Sequence, residues 1–327
     1  MEGAQEDTMT PLSQQLAICA AMCFLAAACQ DSGPSEAAAQ KSPDASKPAQ
    51  APQAAKPAPP VVKEANYTWL SNIAPKPEVE ALAARFSAPD GFKRVSVAPG
   101  SFGHWLRHLP IRKDRDTVHD FSGNPIAAPG AAVVLLDVGE RDLQQCADMA
   151  IRMHAEFLWT TAKKDSIAYH FTSGDRSAWK DWRLGEYFKI KGNKVTRRRG
   201  GPKMDTYGEF RRYLNHTFRY AGTRSLAKDS DPVSPSGLLM AGDFFVQPGG
   251  PGHAVMILDV AADEKGRLAA LIGQGFMPAQ DLHVVKGAGA NVLDEVWFIL
   301  PKASQTLDTP SWKPFKREEA RRFRHVL

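Results

Sequence analysis

Cysteine is scarce: the 327-residue chain contains four. That excludes a disulfide-stapled scaffold and a zinc module built on paired Cys-x-x-Cys knuckles. Charge of one sign is also lacking. The formal net charge is +5, which suits a neutral-to-acidic surface or polymer but is too diffuse for a nucleic-acid partner. The apolar run Leu16–Cys29 is too short to span a bilayer as a stable helix. Hydrophobic residues at 43% and charged residues at 24% are ordinary globular values, so wholesale disorder and a polytopic membrane protein are excluded.

The apolar run has the length of a signal-peptide core and ends in small residues and a cysteine. Leu25-Ala26-Ala27-Ala28 before Cys29 resembles a bacterial lipoprotein signal, with Cys29 as the acyl acceptor and residues 1–29 as the leader. Residues 30–63 form an Ala/Pro-rich linker, with nine Ala and seven Pro between positions 30 and 60 and no aromatic residue. Such a tract buries too little apolar surface to offset chain entropy and stays extended. At roughly 3 Å per residue it would hold a domain on the order of 100 Å from its anchor. The expected location is the bacterial cell envelope, lipid-anchored and facing the periplasm or exterior. If Cys19 and Cys23 leave with the signal and Cys29 is acylated, Cys146 is the only free thiol in the folded part.

Residues 64–303 read as one globular domain, followed by a basic tail over 304–327 that is expected to be helical and solvent-exposed. Helix-like pieces fall at Val79–Phe86 and Ser101–His108. Ala131–Val138 is a short apolar run of buried-strand type, and Gly139 breaks it. The next helix takes Asp142 as N-cap and Gln145 as its third residue. Leu143, Cys146, Ala147, Ala150, Ile151, His154, Phe157 and Leu158 then line one face. Strands follow at 168–172, 242–247, 253–260, 268–274, 283–285 and 295–300, with a helix around Phe210–Phe218 in an otherwise polar, loop-rich 196–240 stretch. The expected class is α+β, a mostly antiparallel sheet packed against an N-terminal helical half.

The chemistry-bearing residues converge on a thiol at a helix start and a histidine at a strand head. A helix N-terminus lowers thiol pKa and offers amides to an oxyanion, and such a nucleophile needs an imidazole with a polar group to orient it. Pro248-Gly-Gly-Pro-Gly252 delivers His253 to the head of an apolar strand, and Gln274 ends the next one. The expected set is Cys146 as nucleophile, His253 as base and acid, and Gln274 as orienter. Asp243 is an alternative orienter, and Gln144 or Gln145 an oxyanion donor. His104 and His108 share a helix face, but no carboxylate completes a His-Glu-x-x-His site, so packing is expected there, with no metal and no cofactor. His119-Asp120 is a pocket candidate, His154 a core or pocket-wall residue, and Trp179 and Trp182 core anchors. Arg197-Arg198-Arg199 with Lys203 is a solvated loop by default, and a contact for anionic polymer or lipid headgroups on the sharper reading.

The segments Asp142-Leu-Gln-Gln-Cys-Ala-Asp148, Pro251-Gly-His-Ala-Val255 and Gln274-Gly-Phe-Met-Pro-Ala-Gln280 resemble a bacterial domain of unknown function, number 4846, found on exported proteins and lipoproteins. The order of helix cysteine, Gly-Asp and Gly-His at strand heads, then a polar residue on the following strand is also similar to papain-like amidases of the NlpC and CHAP kinds. That likeness implies a papain-like core and cleavage of amide bonds in cell-wall peptides through a Cys-His acyl-enzyme. The alternatives are a noncatalytic envelope-binding lipoprotein on a hydrolase-like fold, and a transglutaminase-like acyl transferase. The expected partners are a cell-wall peptide or similar amide and, through Cys29, a membrane.

Overall fold

The computed structural model describes residues 60–325 except position 193. The expected leader, the acylated Cys29 and nearly all of the linker lie outside the described residues. Among the described residues, no helix is long and apolar enough to cross a membrane.

One antiparallel sheet organises the domain, and its ten strands in chain order are β1 (Phe92–Arg94), β2 (Gly130–Val133), β3 (Ser230–Pro232), β4 (Asp243–Gln247), β5 (His253–Asp263), β6 (Leu268–Gln274), β7 (His283–Val285), β8 (Val292–Leu293), β9 (Trp297–Ile299) and β10 (Ala320–Phe323). The sheet runs β8-β9-β6-β5-β4-β10-β3, with β7 and β2 continuing from β6, and β1 pairing with β5. The longest strand, β5, lies at the centre and is buried from His253 to Ala261. Its sequence is a near-continuous apolar run because both faces of the sheet are covered.

Period-two alternation divides the apolar residues of β5 and β6 between two cores. Ala254, Met256 and Leu258 join the larger core, which packs helix α2 (Cys146–Thr160) and α1 (Phe102–Arg107) against the sheet. Val255, Ile257 and Ile272 join a second core, sealed by the C-terminal residues Leu307, Phe315 and Ala320. Between Ile257 and Asp259 the register shifts, and fully buried Asp259 accepts from both Arg94 (2.7 Å) and Arg107 (2.6 and 2.9 Å). This clamp fixes β1 and α1 to the central strand.

Helix α2 is buried almost all round, since every residue from Cys146 to Trp159 is covered. One side is apolar and meets the sheet. The other carries Arg152 and Glu156, which pair at 2.6 Å with no exposure and are joined by Asp137, Gln144 and Tyr207. Helix α3 (Tyr207–Tyr220) caps that side, and the short α4 (Thr223–Lys228) follows it.

The α+β class with mostly antiparallel strands holds. Helices and strands interleave, however, and among the described residues no helical half precedes the sheet. Val79–Phe86 is a three-residue strand plus one helical turn, because Ala81 is extended and pairs with Pro110. Arg197–Arg199 is not a loop: it lies on the second strand of a hairpin, Glu186–Lys191 with Lys194–Arg199. The C-terminal stretch is neither helical nor free. β10 inserts between β4 and β3, and Arg317 is buried against the carbonyls of Val233, Ser234 and Gly237. Its basic residues had masked a strand with two buried ends, Ala320 and Phe323.

Removing the Arg322 guanidinium would leave the buried Asp243 carboxylate without its two close bonds of 2.5 and 2.7 Å. Arg322→Ala is therefore expected to cost about 3 kcal/mol and to lower the thermal midpoint by roughly 5–10 °C. An unchanged midpoint would mean that the C-terminal strand is dispensable.

Candidate functional site

The helix bearing the thiol starts later than its sequence predicts. Gln145, extended at φ −88° and ψ −160°, is the N-cap, and it forms a capping box with Asp148. Asp142 instead accepts from Gln145 Nε2 (2.9 Å) and from the Ala279 amide (2.7 Å), tethering the loop after β6 to the helix start. Gly275 lies against the same helix start, where a Cβ would come 3.4 Å from the Gln145 carbonyl and 3.3 Å from the end of the Met149 side chain. Cys146 is thus the first helical residue, 8% exposed. Burial is the main cause pushing its thiol up to about 11, opposed by the Ala254 amide and reinforced by the nearby Asp148 carboxylate. The dipole of α2 does not overcome desolvation.

His253 and Gln274 meet as expected: His253 Nε2 lies 3.1 Å from Gln274 Oε1. The amide of Gln274 is shared with His283 Nε2 and Ser311 Oγ, each at 3.3 Å. The His253 ring packs between Phe276 (4.8 Å between centroids) and Trp312 (5.1 Å), with Phe315 at 6.0 Å. Burial pulls its pKa down to about 4 and lowers that of His283, so both rings are neutral near pH 7.

The expected Cys146–His253 pair is not assembled. The His253 ring turns toward Phe315 of the second core, whereas Cys146 packs beside Ala254, Met256 and Gly273 in a small gap whose lining also includes Val255 and Gln274. No hydrogen bond joins the thiol to any imidazole among the described residues. Successive residues of β5 point to opposite faces, so Ala254 rather than His253 turns toward the helix that carries Cys146. The reserve candidates are also committed elsewhere. Asp243 is clamped by Arg322, Gln144 links Arg152 Nη1 (2.7 Å) to the Asp137 carbonyl (3.2 Å), and the Gln145 side chain holds Asp142. His154 is a core residue between the Tyr169 hydroxyl and the Arg324 carbonyl, stacked on Phe323. The His104 and His108 rings lie with centroids 4.5 Å apart, tilted by 41° to one another. His119 donates no side-chain bond; its amide is held by Asp281. Trp179 is fully buried, while Trp182 is half-buried and donates to Glu209.

Two grooves open onto α2 and α3. The smaller, about 400 Å³, runs past Cys146 and Asp148 to the Gly249–Gly252 turn. Asp148 Oδ1 is buried there without a partner. The larger, about 710 Å³, lies between α3 and the 137–143 loop, with Trp182 and Tyr207 in its wall. Its rim carries Arg141, Arg211, Arg212 and Arg219. Arg211 is held to Asp137 (2.7 Å) and Arg212 to Glu209 (3.1 Å), whereas Arg141 and Arg219 have no ion-pair partner among the described residues. Arg211 Nη1 and His216 Nδ1 are buried with no partner among the described residues. His216 Nε2 faces the Phe188 carbonyl (3.3 Å) and therefore carries the ring proton, which leaves Nδ1 as an acceptor. Burial holds this ring neutral by lowering its pKa.

Sequence reasoning missed this groove, although Arg211, Asn215 and Arg219 recur at helical spacing and mark one polar stripe on α3. It also missed His283, read only as a strand residue, and Ser311 and Trp312, which lie in the supposed tail.

The chain belongs to the family described as a domain of unknown function (4846), whose profile matches residues 82–322. No curated protein and no solved structure matches it. The matched span takes in all ten strands and ends within β10, so the C-terminal strand is part of the family's domain.

The His253 ring supplies a direct check on the buried cluster. Its folded form resists protonation, so the unfolded chain takes up the proton first as pH falls below 6.5; stability present above that value is lost as pH falls toward 4. Nitrogen-detected NMR of the His253 ring should show the neutral form down to about pH 5. A midpoint near the ordinary 6.5 would place the ring in solvent and contradict the sealed cluster.

Proposed function

We propose that this domain is a noncatalytic binding module of the bacterial cell envelope, holding the peptide of a cell-wall fragment in the groove between α3 and the 137–143 loop. The observation that carries this reading is that Arg211 and His216 both line this groove and each keeps a buried side-chain nitrogen, the donor Nη1 and the acceptor Nδ1, with no partner among the described residues. A peptide offers the complement, a carboxylate or carbonyl beside an N–H. Arg141 and Arg219 add uncommitted positive charge for the free carboxylates of such peptides. The envelope location rests on the lipoprotein-like leader ending at Cys29 and the Ala/Pro-rich tether.

Calorimetric titration with soluble peptidoglycan peptides should give saturable binding without release of new amines. The double variant Arg141→Ala/Arg219→Ala should weaken it about tenfold or more, since each charge-assisted bond contributes roughly 1.5–3 kcal/mol. Neither side chain is part of the buried ion-pair network, so the melting point should hold. Undiminished affinity in that variant would sink the groove as the binding site.

A second reading keeps thiol chemistry, either hydrolysis by an enzyme of the papain-like amidase kind or transglutaminase-like acyl transfer. It is favoured by the position of Cys146 in a groove beside Asp148, whose Oδ1 is buried with no partner among the described residues. It requires amine release, or amine incorporation for the transferase, that disappears in Cys146→Ala. The binding reading requires Cys146→Ala to bind as the unmodified protein does.

A further inference from the structure

The Glu186–Lys191/Lys194–Arg199 hairpin is a two-stranded sheet that pairs with no other strand among the described residues. Its two faces differ in what they hold. On the inner face Phe188 packs edge-on against Phe171 at 5.2 Å, and the single carboxylate of Glu186 is shared between Arg197 (3.2 Å) and Arg199 (3.1 Å). The register sets Tyr187 beside Arg198, Lys189 beside Thr196, and Lys191 beside Lys194 on the outer face. Burial alternates along the first strand, with Tyr187, Lys189 and Lys191 exposed.

Lys189, Lys191, Lys194 and Arg198 make no ion pair among the described residues, so the outer face presents four uncompensated cations on a short ribbon. Large apolar side chains stand at its base: Leu184 is 65% exposed, Met204 42% and Tyr187 39%. Uncompensated cations alone would suit any polyanion. Tyr187 stands among these cations, and exposed Leu184 and Met204 lie within a few residues of the hairpin ends; that mixture matches a headgroup layer, where charge meets phosphate and apolar groups enter the interface.

We propose that the outer face of this hairpin docks the domain on an anionic lipid surface, by a contact separate from the Arg-lined groove and independent of any lipid attached at Cys29. The folded domain would then lie against the bilayer rather than at the full reach of its tether.

The test is co-sedimentation of the full chain carrying Cys29→Ala, which removes the acyl acceptor, with phosphatidylcholine vesicles made with and without phosphatidylglycerol. The expected result is binding only to the anionic vesicles, lost as salt shortens the Debye length from about 10 Å at 0.1 M to about 3 Å at 1 M. Lys189→Glu/Lys191→Glu should lower the anionic-vesicle partition at least tenfold, because each basic residue near such a surface contributes roughly a factor of five. Leu184→Ser/Met204→Ser should lower it further at moderate salt. All four positions are exposed, so an unchanged melting point shows that the fold is intact. Equal partition of the charge-reversed and unmodified proteins overturns the proposal. So does binding to a soluble polyanion by a protein that ignores anionic vesicles, which would assign the face to a polymer.

Discussion

The central strand β5 has two faces, and the rest of the domain depends on that division. Its even-numbered residues Ala254, Met256 and Leu258 take the weight of α2, while Val255 and Ile257 face the core closed by the C-terminal strand. A slip of one residue would exchange the two sets and expose both cores to mismatched partners. Asp259 and its two arginines sit at the register shift and hold the strand against such a slip. The same alternation decides the chemistry. It gives Ala254 to the thiol and His253 to a sealed cluster with Gln274, His283 and Ser311.

The strands that carry the site were legible because their sequences are locally unambiguous. Leu268–Gln274 and His283–Val285 are strands at the boundaries their apolar runs mark, and the His253–Gln274 contact follows from antiparallel pairing of neighbours. What failed was orientation. A nucleophile on a helix and a histidine on a strand can be close in the fold and still be separated by the sheet between them. Nothing in the composition of Gly252-His253-Ala254 says which side chain turns toward the helix. The C-terminal strand was hidden for a different reason, because Arg321 and Arg322 read as solvent-seeking whereas Arg322 satisfies the buried Asp243. Asp142 was taken as the cap because local spacing favours it. Tertiary contact with Ala279 draws it away and leaves the role to Gln145.

The polar resources of this domain fall into two classes. Arg152, Asp259, Asp243 and the His253–Gln274 pair are buried and bonded to partners within the domain. The groove of α3 and the outer face of the 186–199 hairpin hold polar groups that the protein itself leaves unmatched. Burial of an unpartnered donor or acceptor costs free energy that a ligand can recover. That contrast directs attention away from the apparent triad and toward the arginine-lined groove.

The central claim is that Cys146 and His253 lie on opposite faces of one sheet and do not act together. The alkylation rate of Cys146 against pH, resolved from other thiols by peptide mass spectrometry, tests it most directly. The expected profile rises toward a thiol pKa of about 11 and is unmoved by His253→Ala. A thiolate that forms below the free-cysteine value of about 8.5, and loses that low value when His253 is replaced, would contradict the account and restore the catalytic pair.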